Sequence, residues 1–162
     1  MTTIKISEAG SVQFPMDARN ILLGMKKQGF GMGRFNGFGG KVLFDEAVVN
    51  AAIRELWEEA RVSVQPSALD LCAILSFYPY RCRVHVFRLV VDNVLQLPFA
   101  ESDEMLPKVF AQTEIPYASM WTDDPLWLPL VLRGFRLHGT FHFGEDDTVK
   151  EWRMKGLPPI FP

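Results

Sequence analysis

The chain has 162 residues, 48% of them hydrophobic and 22% charged, with a formal net charge of −2. That size suits one domain, and the near-neutral charge excludes a broad electrostatic pull toward nucleic acid or an anionic membrane, so phosphates would be met locally, through a bound cation or a few placed Lys and Arg. No apolar run approaches the roughly 20 residues that span a bilayer. "MTTIKISEAG" has no secretory core and lacks the Arg-rich character of a transit peptide. Cys72 and Cys82 match no metal-ligand spacing. A reducing, cytoplasmic setting is expected, with the mitochondrion or nucleus as the other homes.

Residues 1–20 give an ambiguous start, in which "TIKIS" alternates weakly and "FPMDARN" reads as a turn carrying Pro15. A short apolar strand, Ile21–Leu23, then dissolves into glycine at positions 24, 29, 31, 33, 37, 39 and 40. "KVLF" reads as a strand. Asp45 is the expected N-cap of a helix from Glu46 to about Ala60, with Glu46 well placed in its first turn. Val49, Ala52, Ile53 and Leu56 form the inward face of that helix, and Glu55, Glu58 and Glu59 fall at the edge of the face or beyond it. "LCAILSFY", "RVHVFRLVVD" and "VFAQTEIP" are strand candidates. "DDPLWLPLVLRG" predicts a second helix with Asp124 at the N-cap, Pro125 at the first helical position, Pro129 kinking or shortening it, and Gly134 just past its end. "FRLHGTFHFG" and "TVKEWRM" close the order as a strand pair. Residues 1–154 then form one domain of α/β or α+β sandwich type, and residues 155–162 form a proline-rich tail.

Glu55, Glu58 and Glu59 stand at i, i+3 and i+4, on one face of a helical turn. Like charges so spaced weaken an isolated helix by a few tenths of a kcal/mol per pair. Taken alone, such a turn is more often a solvated helix face. Three carboxylates also suit a hard divalent cation, which takes oxygen ligands and shares itself between carboxylates and substrate phosphates. A preceding glycine loop adds an unhindered backbone carbonyl, and the set suggests metal-assisted attack of water on a phosphoanhydride.

The spacing of these parts is specific. "GKVLFDEAVVNAAIRELWEEARV" resembles the Nudix box, Gly-x5-Glu-x7-Arg-Glu-apolar-x-Glu-Glu-x-Gly-apolar, with Gly40, Glu46, Arg54, Glu55, Leu56, Glu58, Glu59 and Val62 in place. The last glycine of the box is Arg61 here. Its position implies a left-handed residue ending the helix, a conformation that costs a non-glycine residue roughly 1 kcal/mol or more. Beyond the box, "LLGMKKQGFGMGRFNGFGGKV", "ESDEM", "IPYASMWTDDPLWLPLVL" and "RLHGTFHFGEDDT" are similar to the animal MutT homologues of that family, over roughly residues 21–148.

The resemblance implies an α/β/α Nudix sandwich that uses Mg²⁺, with Mn²⁺ as a substitute. It implies hydrolysis of oxidised or methylated purine nucleoside triphosphates to the monophosphate and pyrophosphate. The implied metal ligands are Glu55, Glu58 or Glu59, Glu104 and the carbonyl of Gly39. Arg54 would orient the acidic turn, and Glu59 or Glu104 would be the general base. Lys26 and Lys41 would reach the phosphates. Asn36, Trp121, Asp123 and Asp124 would hold the base, with Phe30, Met105 and Trp127 as apolar wall. Without the family, Asp124 would read as a helix cap, Asn36 as a turn residue and the two tryptophans as core.

Two stretches depart from the pattern. Residues 4–20 are polar and broken where the family has a continuous apolar strand, and "LSFYPYRCR" is shorter than its counterpart. The expected partner is a modified purine nucleotide, with a monomer as the default. The other readings are a Nudix hydrolase for a linked nucleoside diphosphate such as ADP-ribose, and a nucleotide-binding module that has lost activity.

Overall fold

The stretch that reads as polar and broken near the N-terminus is a nine-residue strand, β1 (Glu8–Met16), in the computed structural model, which describes residues 6–156. Its even positions Val12, Phe14 and Met16 pack into one core, while Ser11 and Gln13 are buried on the opposite face. Gln13 is tolerated there because its side-chain amide donates to the carbonyl of Ala52 at 2.7 Å. Pro15 is tolerated because β1 changes partner beside it. Gly10–Gln13 pair with β4 (Phe38–Lys41) and Met16 pairs with β2 (Asn20–Lys26), so no ladder pair with these strands is needed at Pro15.

The remaining strands are β3 (Phe35–Asn36), β5 (Leu69–Tyr78), β6 (Cys82–Val90), β7 (Met105–Ala111), β8 (Leu137–Phe143) and β9 (Val149–Gly156). Among the described residues they form one mixed sheet in the order β3-β2-β1-β6-β5-β8-β9, with β4 added against β1 and β7 against β2. β1 runs parallel to β6 and β5 parallel to β8, and the other pairs are antiparallel. The expected "KVLF" strand ends at Lys41, and Leu43 and Phe44 lie exposed in the loop beyond it. The expected "VFAQTEIP" strand starts earlier, at Met105, and ends at Ala111. Residues 155 and 156, assigned to the tail, complete β9; the rest of the proposed tail lies outside the described residues.

Two helices cover the two faces. The first, α1 (Val48–Ala60), starts later than the sequence suggests. Asp45 is not its cap: Ala47 occupies that position, and Asp45 sits in the preceding turn with φ 59°. Glu46 serves the turn instead, accepting the Leu43 N–H at 3.1 Å. The second helix, α2 (Asp124–Leu132), is capped at Asp123, so Asp124 is its first helical residue and no side-chain cap bond forms. Pro129 lies inside it, and Gly134 follows its end with φ 96°.

Successive strand residues face opposite layers. Ile21 and Leu23 pack with Phe14, Phe141, Trp127 and Leu128 under α2, whereas Leu22 packs with Phe38, Leu56 and Ala60 under α1. The result is an α/β/α sandwich. Arg88 of β6 fixes the far end of α2, donating to the Val131 carbonyl at 2.8 Å while its guanidinium pairs with Asp70 at 2.7 Å.

Candidate active site

The acidic turn of α1 is organised by Arg54. Its guanidinium donates to both oxygens of Glu46 at 2.8 and 2.9 Å, to Glu55 at 2.9 Å, to Glu58 at 3.2 Å and to the Lys41 carbonyl at 3.1 Å. A planar fork of five donors suits such a set, and a lysine would not. The bonds from Arg54 hold the Glu46 carboxyl down at about 2 and raise the affinity of Arg54 for its proton. This network is what lets carboxylates crowd one turn.

Glu59 departs from the reading that puts it at or beyond the edge of the packed face. It belongs to the buried face of α1 beside Leu56 and Ala60, with 1% of its surface exposed. Its Oε1 accepts the Gly39 N–H at 2.6 Å across the gap to β4. Burial pushes its carboxyl up to about 8, against the Gly39 bond and the Lys26 charge, and the charges of Glu55 and Glu104 add to the rise. Burial also raises Glu55, against the pull of Arg54. Close approach explains two of the glycines. A Cβ on Gly39 would lie 1.9 Å from the Ser11 carbonyl oxygen, and one on Gly40 would lie 2.5 Å from Glu55 Oε1.

Glu104 is brought to this place by a buried hydroxyl. Ser102 Oγ donates to the Glu59 carbonyl at 2.8 Å and accepts the N–H groups of Glu104 at 3.3 Å and Met105 at 3.1 Å. The same loop is tied to the glycine-rich segment, where the Lys27 N–H donates to the Glu104 carbonyl at 2.8 Å. Among the described residues no three His, Cys, Asp or Glu side chains form a ready-made metal cluster. Arg54 holds Glu55 and Glu58, and the Gly39 N–H holds Glu59. The donors themselves are all oxygen, without thiolate or imidazole, which fits a hard divalent cation.

A cavity of about 790 Å³ extends to the start of α2 from Glu59, Glu104 and Gly39, which line one part of it, whereas Glu55 and Glu58 are not among its lining residues. All nine residues expected at the substrate line it too: Lys26, Phe30, Asn36, Lys41, Met105, Trp121, Asp123, Asp124 and Trp127. Lys41 is largely exposed and pairs with Glu8 at 3.2 Å. Asn36 differs from the expectation of a free donor and acceptor. Its Oδ1 already takes the Gly37 N–H at 2.8 Å, which leaves the amide hydrogens and one lone pair to offer.

Asp123 and Asp124 are each 3% exposed. Asp123 Oδ2 accepts the Trp127 indole N–H at 2.8 Å, and burial raises its carboxyl to about 6 despite that bond. Burial, with the Asp123 charge beside it, raises Asp124 well above the usual carboxylate range. Asp124 Oδ2 is buried without a hydrogen-bond partner. An orphaned acceptor is costly, and this one lies on the cavity wall.

Trp121 is already covered in part. Phe30 stacks on it with centroids 5.0 Å apart, and the Arg34 guanidinium lies 4.1 Å from its centroid. The sequence reading missed Arg34, whose only signal was its place inside the glycine loop. It also missed Ser102, which lies in the quoted "ESDEM" and is recognisable only once Glu59 is close by.

The family model described as NUDIX domain matches residues 8–131, which includes β1. A curated protein of Mus musculus named oxidized purine nucleoside triphosphate hydrolase is 40% identical over 144 residues, 86% of this chain and 89% of its own length. One of Danio rerio with the same name is 44% identical over 138 residues, 83% of this chain and 85% of its own. A solved MutT protein from Bacillus halodurans aligns with TM-score 0.72 at 21% identity, over 91% of this chain and 97% of that one, a likeness that carries the fold. With the box residues assembled as described and this match across most of its length, the chain belongs to the Nudix family of hydrolases.

Proposed function

We propose that the protein is a Mg²⁺-dependent pyrophosphatase of the free nucleotide pool that hydrolyses oxidised and methylated purine nucleoside triphosphates to monophosphate and pyrophosphate. The observation that carries this reading is the Asp123–Asp124 pair. Two adjacent buried carboxyls, one with an unpartnered oxygen, line the same cavity as Glu59 and Glu104. The names of the mouse and zebrafish relatives agree with it.

Glu55, Glu58, Glu59 and Glu104, with the Gly39 carbonyl, are the residues that would hold the metal. When bound, the ion neutralises charge on the triphosphate and activates water, and Mn²⁺ can replace it. Lys26 and Lys41 bring positive charge to the phosphates, and Arg54 keeps the acidic turn in register. The water oxygen bonds to a phosphorus of the α–β bridge, the bridging P–O bond breaks, and its electron pair leaves with the departing phosphate oxygen. Glu104, or Glu59 in its ionised form, would take the proton of the water.

Two carboxyls in contact and away from water do not both ionise readily, so one keeps a proton near neutral pH. The pair then offers a donor and an acceptor, and exchanging which carboxyl holds the proton reverses the pattern. That suits both 8-oxoguanine and 2-hydroxyadenine. The amide of Asn36 adds a donor, Phe30, Met105 and Trp127 supply apolar surface, and a purine on Trp121 takes up the contact that Phe30 now makes. Such stacking is worth on the order of 1–3 kcal/mol per base.

The reading takes the chain through the end of β9 at Gly156 as one catalytic domain working as a monomer in the cytoplasm, without nucleic-acid or membrane partners. No helix among the described residues is long and apolar enough to cross a membrane. The test measures Mg²⁺-dependent product release from dGTP, 8-oxo-dGTP, 2-hydroxy-dATP, O6-methyl-dGTP and ADP-ribose. The modified purines should be preferred, Glu59→Gln should abolish turnover, and Asp123→Asn and Asp124→Asn should shift the ratio of the oxidised guanine to the oxidised adenine substrate. Equal rates on dGTP and 8-oxo-dGTP overturn the sanitising role, and a preference for ADP-ribose moves the substrate class.

A further inference from the structure

Tyr80 has no part in the account so far, yet it closes one wall of the cavity. It sits in the turn between β5 and β6. Its phenol donates to Asp147 Oδ1 at 2.5 Å, which joins this turn to the one between β8 and β9. Burial pushes the phenol up to about 12, with the Asp147 bond adding to it, so the hydroxyl remains a donor at any physiological pH.

The ring of Tyr80 also meets two others. It packs edge-on against Phe30, with centroids 5.9 Å apart, and at a tilt against Phe143 at 5.6 Å. Phe143 meets the edge of Trp121 at 6.2 Å, and Trp121 stacks on Phe30. The four rings therefore form a closed circuit contributed by separate segments of the chain, and all four line the cavity. The Trp121 carbonyl accepts the Asp124 N–H at 3.0 Å, which ties one member of the circuit to the paired carboxyls. Phe30 is 72% exposed, in a loop whose Gly29, Gly31 and Gly33 all have positive φ. Phe30 can yield to a ligand at little cost. Tyr80, at 36%, is half as exposed and is tied at its hydroxyl, so moving it breaks the Asp147 bond as well as two ring contacts.

We propose that Tyr80 sets the upper size of the substituent that the base pocket admits: its pinned ring accepts oxidised and small-alkyl purines and rejects purines bearing bulky adducts. The proposal rests on the reading of the cavity as a purine site. It names a specificity-determining residue for that reaction and the substrate class the residue excludes.

The experiment compares kcat/KM for purine nucleoside triphosphates alkylated at O6 or N6, from methyl through butyl to benzyl, in wild type, Tyr80→Ala, Tyr80→Phe and Asp147→Ala. The wild type should fall steeply along the series. Tyr80→Ala opens a hole the size of a phenyl group, so its benzyl-to-methyl ratio should rise by about ten-fold or more, the scale on which a pocket discriminates single methylene groups. Asp147→Ala and Tyr80→Phe keep a ring but free it, and should raise the ratio by a smaller factor. A general loss of stability would lower all substrates together and leave the ratios unmoved. Ratios in Tyr80→Ala and in both tether variants equal to wild type overturn the proposal while leaving the purine site standing. Failure of the wild type on every purine, methyl-bearing ones included, overturns the purine reading and this proposal with it.

Discussion

Replacing Arg61 by glycine tests whether the end of α1 is strained as its backbone indicates. Arg61 holds φ 59° and ψ 27°, with its N–H bonded to the Trp57 carbonyl. A side chain in this conformation costs roughly 1 kcal/mol relative to glycine. Two contacts offset part of that cost. The guanidinium donates to the Trp57 carbonyl at 3.3 Å and lies 5.8 Å from the Trp57 ring, both at an exposed site. Together they are worth about 0.5 kcal/mol. Arg61→Gly should therefore gain about 0.5 kcal/mol, a rise in Tm of roughly 1–2 °C for a chain of this length. Arg61→Ala keeps the strain and loses both contacts, so it should lose about 0.5 kcal/mol. The expected order is Gly, then Arg, then Ala, read from urea melts and thermal scans of all three. Magnesium dependence should be the same in each. An alanine variant as stable as the glycine variant would show that backbone strain is not what Arg61 contributes, and a large gain in turnover for Arg61→Gly would show that the position acts on catalysis.

Asp123 and Asp124 make stability depend on pH. Both carboxyls are raised, Asp123 from 3.8 to about 6, so the folded chain binds more protons than the unfolded one in that window and stability falls as pH rises through it. Asp123→Asn should flatten the fall between about pH 4 and pH 6 and gain more stability, relative to wild type, at pH 7 than at pH 4. Urea midpoints across that range check it. Arg54→Lys should lower kcat by about ten- to a hundred-fold, since an ammonium cannot replace the bonds to Glu46, Glu55, Glu58 and the Lys41 carbonyl; preference among modified purines should stay put. Ser102→Ala should lose about 1–3 kcal/mol of stability and reduce kcat more than it changes KM, because the loop carrying Glu104 loses its bond to α1. Steady-state kinetics that show only a KM effect would argue against that placement.

The box, both helices and the closing strand pair could be read from the sequence because each depends on local spacing. So could the left-handed residue at Arg61, since the box pattern has glycine at that place. β1 could not. Ser11 and Gln13 look like surface positions until Gln13 finds the Ala52 carbonyl, 39 residues away in sequence. Pro15 looks like a break until β1 is seen to change partners beside it. Glu59 was misplaced for a similar reason: a helical wheel puts a carboxylate outside, and only the Gly39 N–H on another element makes an inside position tolerable. Family spacing named the residues expected at the substrate, and they line one cavity. The Tyr80–Asp147 link was not, since it joins turns 67 positions apart.

The inward position of Glu59 means that α1 docks on the sheet with a carboxylate where an aliphatic side chain would sit more comfortably. Any procedure that ranks variants of this chain by heat resistance alone should drift toward uncharged residues at position 59, and under the role proposed for Glu59 the sturdiest descendants would be inert. A search for hardier forms has to hold this residue fixed and draw its gains from elsewhere, the helix terminus two residues later being the nearest place to begin.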